Sequence, residues 1–167
     1  MGSLDGWGYG RDRLVGMTLL DLGCHEGDFC AMAACEGMHT IGIDCDGDAV
    51  ERGQQRWDDI GLVGLRADDV VDRASLGAQV VLLLSTWAYI CRDFGREAAM
   101  EFLGRVAASS EVLFFETHLA SDGPGPAFLR DDDDVARMLG AFGTPQRLAI
   151  IPVAGRDATR SIWRLAR

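Results

Sequence analysis

Short apolar runs recur along this chain at regular spacing, with helix-patterned stretches between them, and that alternation restricts the fold more than any other feature. Met17–Leu22 reads as a first strand ended by Gly23, with Asp28 placed to cap a helix through Phe29, Met32 and Ala33. Thr40–Asp44 reads as a second strand, followed by an Asp48-capped helix through Val50 and Trp57. Leu62–Ala67 is a weaker third strand. Val80–Ser85 is Val or Leu at every position but the last, as expected of a central strand covered on both faces. From about Phe94 to Ala107, the residues Ala98, Phe102 and Val106 recur at i, i+4 and i+8 and give a helix one apolar stripe. Glu111–Glu116 is the fifth strand. Strands alternating with helices form right-handed βαβ units, so the expected fold is α/β, doubly wound, with helices on both faces of a mostly parallel sheet.

The tail breaks the rhythm. After a short helix near Val135–Leu139 come two further strands, Gln146–Val153 and Thr159–Ala166, joined by the turn Ala154–Asp157. No helix fits so short a connection, so the pair is expected as an antiparallel hairpin. Pro152 has no N–H to give a ladder, which places the sixth strand at a sheet edge. The segment Ala120–Arg130, with Gly123-Pro124-Gly125-Pro126, suits neither helix nor strand.

A chain of 167 residues is one domain by length, expected over 17–167, with residues 1–16 as an N-terminal segment able to fold over a pocket. No apolar run approaches the ~20 residues of a membrane span, and the zones of a signal peptide are missing. The expectation is a cytoplasmic protein without a membrane partner. Acidic residues number 26 against 16 basic ones, all Arg, for a net charge of −10. Such an acidic chain repels phosphate backbones and argues against nucleic acid. Cys24, Cys30, Cys35, Cys45 and Cys91 are odd in number and lack C-x-x-C pairing, so they read as buried small hydrophobes in a reducing cytosol. With only His25, His39 and His118 as histidines, no metal site is expected.

In an open α/β sheet, ligands bind outside the carboxyl ends of the strands. The first such end reads Asp21-Leu22-Gly23-Cys24-His25-Glu26-Gly27. Set against G-x-G-x-x-G from Gly23, the third and sixth places hold His25 and Asp28, so the dinucleotide fingerprint fails. Asp21, Glu26 and Asp28 ring the turn with no neighbouring Lys or Arg, which repels a pyrophosphate and attracts a cation. Asp44 lies at the end of the second strand, about 20 residues beyond Gly23, where an acid accepts hydrogen bonds from ribose hydroxyls. A ribose without phosphates beside a positive charge describes S-adenosylmethionine. Asp68 and Asp69 follow the third strand, where one carboxylate can accept from an adenine amino group.

The motif Leu20-Asp21-Leu22-Gly23-Cys24-x-x-Gly27 resembles the first motif of the class I S-adenosylmethionine-dependent methyltransferases. Gly42-Ile43-Asp44 resembles their ribose-binding motif, and Asp68 or Asp69 their adenine-side acid. The resemblance runs from about Thr18 to Arg167 and implies the strand order 3-2-1-4-5-7-6, with the sixth strand at an edge. It implies S-adenosylmethionine as cofactor, held around Asp21, Gly23, Cys24, His25, Gly27, Asp44, Cys45, Asp68, Asp69 and Ser85. His25 departs from the pattern, since it replaces the usual middle glycine.

The acceptor is then expected at the ends of the fourth and fifth strands, among Thr86, Trp87, Tyr89 and Glu116, with Gly123–Pro126 at the rim. Ser85-Thr86-Trp87-Ala88-Tyr89 lacks the Asn/Asp-Pro-Pro-aromatic signature of enzymes that methylate planar base or amide nitrogens. His118 is the candidate general base, set against the plain alternative of an uninvolved loop histidine. Asp131–Asp134 reads as a complement to a helix dipole rather than a metal site, and the arginines Arg147, Arg156, Arg160, Arg164 and Arg167 as a solvated edge. The N-terminal Trp7, Tyr9, Arg11 and Arg13 can cover the pocket or fray. The expected activity is methyl transfer to an oxygen or nitrogen of a small molecule. The alternatives are an RNA or protein methyltransferase, a non-catalytic S-adenosylmethionine-binding module, and a nicotinamide-dependent oxidoreductase.

Overall fold

A computed structural model describes residues 11–57, 60–65, 69, 77–153 and 159–166. Seven strands form one sheet: β1 (Thr18–Leu22), β2 (His39–Asp44), β3 (Gly61–Gly64), β4 (Val80–Leu84), β5 (Val112–Glu116), β6 (Thr144–Pro152) and β7 (Thr159–Ala166). Their order is β3-β2-β1-β4-β5-β7-β6. The pairings β1–β2, β1–β4, β2–β3 and β4–β5 are parallel, whereas β7 runs antiparallel to both β5 and β6. The doubly wound class, the strand order and the antiparallel hairpin all agree with the sequence. Pro152 lies on the edge strand β6, opposite Thr159. The expected turn Ala154–Asp157 falls outside the described residues.

Among the described residues, the helices include α1 (Arg11–Leu14), α2 (Asp28–Cys35), α3 (Gly47–Arg56), α4 (Trp87–Ser109) and α5 (Asp132–Leu139). Alternate strand residues feed two cores, one on each face of the sheet, as a period of two requires. Leu19, Val80, Leu82, Val112 and Phe114 join Leu14, Cys30, Ala33 and Val50 from α1, α2 and α3. Leu20, Leu22, Val81, Leu83, Leu113 and Phe115 join Phe102, Leu103, Val106, Val135 and Leu139 from α4 and α5. Each such large side chain, buried to within a few per cent, contributes roughly 1.5–3 kcal/mol relative to exposure.

Several local expectations are corrected. The first turn of α2 is entered from Gly27 in the left-handed region, and Asp28 is already helical rather than its cap. Phe29 and Met32 lie on the outer face of α2, with only Ala33 of the expected three buried. Helix α3 is capped by Asp46, whose side chain accepts from the Ala49 N–H at 3.0 Å, and not by Asp48. Strand β3 is shorter than expected and displaced toward Gly61. Helix α4 begins seven residues before Phe94, at Trp87, and is interrupted at Gly95 (φ 86°, ψ 165°). That interruption hides the first two turns, because the apolar stripe restarts beyond it. Of the cysteines, Cys24, Cys30 and Cys91 are buried, but Cys35 and Cys45 are exposed.

Candidate functional site

The chain turns sharply where β1 meets α2, and three residues there have positive φ: Gly23 (87°), His25 (50°) and Gly27 (80°). At Gly23 only glycine fits, since an added Cβ would stand 1.9 Å from Thr86 Oγ1. His25 occupies the left-handed region too, which accounts for the glycine usual there in the resembling motif; histidine is among the few other residue types that enter it readily. The turn is pinned to β2 by Gly23 N–H and Cys24 N–H, which donate to Ile43 O at 2.8 and 3.1 Å. His25 N–H donates to Asp44 Oδ2 at 2.7 Å, and Asp46 N–H donates to Asp44 Oδ1 at 2.8 Å. These bonds orient the Asp44 carboxylate and use only part of its acceptor capacity.

A cavity of about 530 Å³ opens at the ends of β1, β2 and β4, within the range of small-molecule sites. Gly23, His25, Asp44, Cys45, Asp46, Ser85, Thr86 and Tyr89 line it in part, with Ile43, Leu84, Ile90, Asp93 and Phe94 completing the wall. Sequence placed Gly23, His25, Asp44, Cys45, Ser85, Thr86 and Tyr89 at this site. It missed Ile90, Asp93 and Phe94 further along α4, although Ile90 and Phe94 stand at i, i+4 and share a helix face.

Charge around the turn differs from expectation. Arg52 and Arg56 reach across from α3 to the carboxylates that seemed unneutralised in sequence. Arg52 Nε lies 2.7 Å from Glu26 Oε1, and Arg56 Nη1 lies 3.3 Å from Asp28 Oδ1. The Arg52 hydrogen bond holds the Glu26 carboxyl below its usual range. Trp57 Nε1–H donates to Glu26 O at 3.1 Å, so α3 also clasps the turn backbone. Among the described residues, the charged groups on the cavity wall are Asp44, Asp46 and Asp93, and none of its lining is Arg; Asp93 pairs with the exposed Arg92 at 2.6 Å.

Asp21 lies beneath the turn at 2% exposure, and its Oδ2 has no hydrogen-bond partner among the described residues. Burial, and secondarily the Asp44 charge, raise its pKa to about 7. Cys24 is also buried behind the wall, and Gly27 backs onto Leu62. Asp69 is exposed and outside the cavity lining, while Asp68 lies outside the described residues.

On the acceptor side, the structure removes Trp87 from the pocket. Its indole is fully buried, donates to Ala99 O at 2.9 Å, and meets Phe115 and Phe128 edge-on at 6.1 Å. Glu116 and His118 are buried one layer back, and neither lines the cavity. The His118 ring stands T-shaped to Tyr89 at 5.5 Å. Gly123–Pro126 likewise falls outside the lining.

Arg160 is the largest correction. Rather than a solvated edge residue, its side chain is 14% exposed and reaches from β7 to Glu116 (3.3 Å), Ser85 Oγ (3.1 Å) and Asp122. Arg147 pairs with Asp132 at 3.0 Å, tying β6 to α5. Within Asp131–Asp134, Asp131 caps α5 by accepting from Asp134 N–H. The Asp134 carboxylate is held far below its usual pKa by Arg130 and Arg137. Among the described residues, no group of three or more His, Cys, Asp or Glu is placed to hold a metal ion. None of their helices is long and apolar enough to cross a membrane.

The sheet order and the site at its carboxyl edge define the fold of the class I S-adenosylmethionine-dependent methyltransferases. Solved structures share it at low identity. The chain is similar to WbdD, described as a bifunctional kinase-methyltransferase, with TM-score 0.81 and 16% identity over 97% of this chain. It covers only 37% of that protein. Magnesium protoporphyrin IX methyltransferase (ChlM) from Synechocystis PCC 6803, solved with bound SAM, matches at TM-score 0.66 and 18% identity over 93% of this chain and 72% of that one. A TehB-like SAM-dependent methyltransferase from Corynebacterium glutamicum matches at TM-score 0.57 and 18% identity over 98% and 92% of the two chains. By sequence, no family profile and no curated protein matches.

Proposed function

We propose that the chain is an S-adenosylmethionine-dependent methyltransferase acting on an oxygen or nitrogen of a small molecule. The observation that carries this reading is the cavity at the Gly23 turn, where the charged groups among the described lining residues are Asp44, Asp46 and Asp93. Asp44 keeps acceptor capacity for the paired hydroxyls of a ribose, and a wall whose described residues include no Arg suits a ligand bearing ammonium and sulfonium better than a pyrophosphate. The donor set therefore fits S-adenosylmethionine, with Gly23, His25, Asp44, Cys45 and Ser85 as the residues that would hold it. That cofactor supplies, when bound, an activated methyl group.

The chain's own contribution is alignment, which dominates an in-line displacement. The hydrogen bonds from His25 and Asp46 to Asp44 fix the ribose acceptor before any ligand arrives. Thr86, Tyr89 and Phe94 offer a partly apolar wall for a small acceptor. His118 is buried and stands edge-on to Tyr89 rather than lining the cavity. The five free cysteines fit a reducing cytosol.

The test is turnover. The protein is incubated with methyl-labelled S-adenosylmethionine and separate sets of small amines, phenols and carboxylic acids, and label transfer is followed together with S-adenosylhomocysteine release. Transfer to a small molecule is the expected result. Cofactor binding without S-adenosylhomocysteine from any acceptor class makes the chain a binding module instead.

A further inference from the structure

Ser85 directly follows β4 with φ 58°, one of two non-glycine residues among those described with positive φ, and it lines the cavity. Strain of this kind persists where surrounding contacts enforce it. Here the enforcing contacts are polar and partly buried. Ser85 N–H donates to Glu116 O at 3.1 Å, Ser85 Oγ lies 2.5 Å from Glu116 Oε2, and Arg160 Nη1 lies 3.1 Å from Ser85 Oγ. Glu116 is 3% exposed, and its other oxygen accepts from Arg160 at 3.3 Å.

Donor chemistry settles the hydroxyl's direction. A guanidinium can only donate, so Ser85 Oγ accepts from Arg160 and commits its own proton to Glu116. One acceptor site remains on that oxygen, and no donor. A cavity group meeting Ser85 must therefore bring a hydrogen. The Arg160 charge behind it is flanked by two carboxylates, Glu116 and Asp122, and the nearby wall carries Asp44 and Asp46. Together these favour a donor that is cationic.

We propose that Ser85 Oγ is the recognition atom for a protonated amine, with Glu116 and Arg160 as positioning residues that keep the hydroxyl acceptor-only. The inference rests on the methyltransferase reading for its setting. The amine has two sources, the amino-acid end of the cofactor or the methyl acceptor, and the same recognition serves either.

Two ligand pairs distinguish them by calorimetry. The first is S-adenosylhomocysteine against 5′-methylthioadenosine, which lacks the amino-acid end. The second, run on the free protein and on the protein saturated with 5′-methylthioadenosine, is phenethylamine against the neutral 2-phenylethanol. Ser85→Gly removes the hydroxyl and relieves the positive φ, so it retains the fold. Glu116→Gln leaves Ser85 without an obligatory proton acceptor, and Arg160→Lys restores a donor of the same charge.

In one pair, Ser85→Gly and Glu116→Gln should each weaken the amine-bearing member about tenfold and its amine-free partner less than twofold, with Arg160→Lys between them and wild type. Loss confined to the first pair assigns the amine to the cofactor; loss confined to the second assigns it to the acceptor. Equal changes within both pairs, or none in either, overturn the proposal. Failure of both nucleosides to bind wild type counts against the methyltransferase reading, and the phenethylamine pair on free protein still decides this one.

Discussion

The backbone N–H of His25 donates to Asp44 Oδ2 at 2.7 Å, joining the turn after β1 to the end of β2. One carboxylate thus has two tasks: it holds a left-handed histidine in place and presents its remaining acceptor sites to the cavity.

Asp44→Ala should lower S-adenosylhomocysteine affinity at least tenfold, because charged-acceptor hydrogen bonds contribute roughly 1.5–3 kcal/mol each. The turn also loses its anchor, at about the 0.5–2 kcal/mol of a lost cap, so the melting temperature should fall by only a few degrees. Calorimetry beside a melting curve separates the two effects. Unchanged affinity would place the ribose elsewhere.

Gly23→Ala tests the close approach of the turn to α4. A methyl group there overlaps Thr86 Oγ1 and also meets a φ of 87°. Both strains act in the folded state, so destabilisation of more than about 2 kcal/mol is expected by denaturant unfolding. The double variant Gly23→Ala with Thr86→Ala should recover part of that loss. Equal stability of wild type and Gly23→Ala would refute the packing.

Asp21 makes stability depend on pH in a definite direction. Its folded pKa is about 7, against about 3.9 in an unfolded chain. Between those values the folded state keeps a proton that the unfolded state has released, so this group's contribution is full below about pH 4 and is lost as pH rises to about 7. Asp21→Asn has no such titration. Its stability relative to wild type should therefore rise by a few kcal/mol from pH 4 to pH 7 and then level off. A constant offset across that window would show that Asp21 is not held protonated.

The parts of the fold visible in sequence were those set by local pattern. The dense apolar run of β4 announces a central strand, and Pro152 with the short final connection defines an antiparallel edge hairpin. Gly23 and Asp44 were visible for the same reason, since each ends its own strand. What stayed hidden depends on contacts across the sequence. Arg160 falls on the face of β7 opposite Ser161, Trp163 and Leu165, a pattern that looks solvated until Glu116 and Asp122 are folded against it. Arg52 and Arg56 lie more than twenty residues beyond Glu26 and Asp28 in sequence, and only the placement of α3 brings them against those carboxylates. Trp87 looked like a strand-end aromatic because Gly95 conceals the helix that carries it into the core.

The proposed site takes S-adenosylmethionine rather than a dinucleotide, and one calorimetric comparison tests this directly. S-adenosylhomocysteine and NAD are titrated separately into the wild-type protein at neutral pH. Saturable 1:1 binding of S-adenosylhomocysteine with no heat of binding from NAD is the expected result; at about 100 times the dissociation constant the ligand should add roughly 2.7 kcal/mol of stability, visible as a higher melting temperature. Saturable NAD binding with no response to S-adenosylhomocysteine would contradict it.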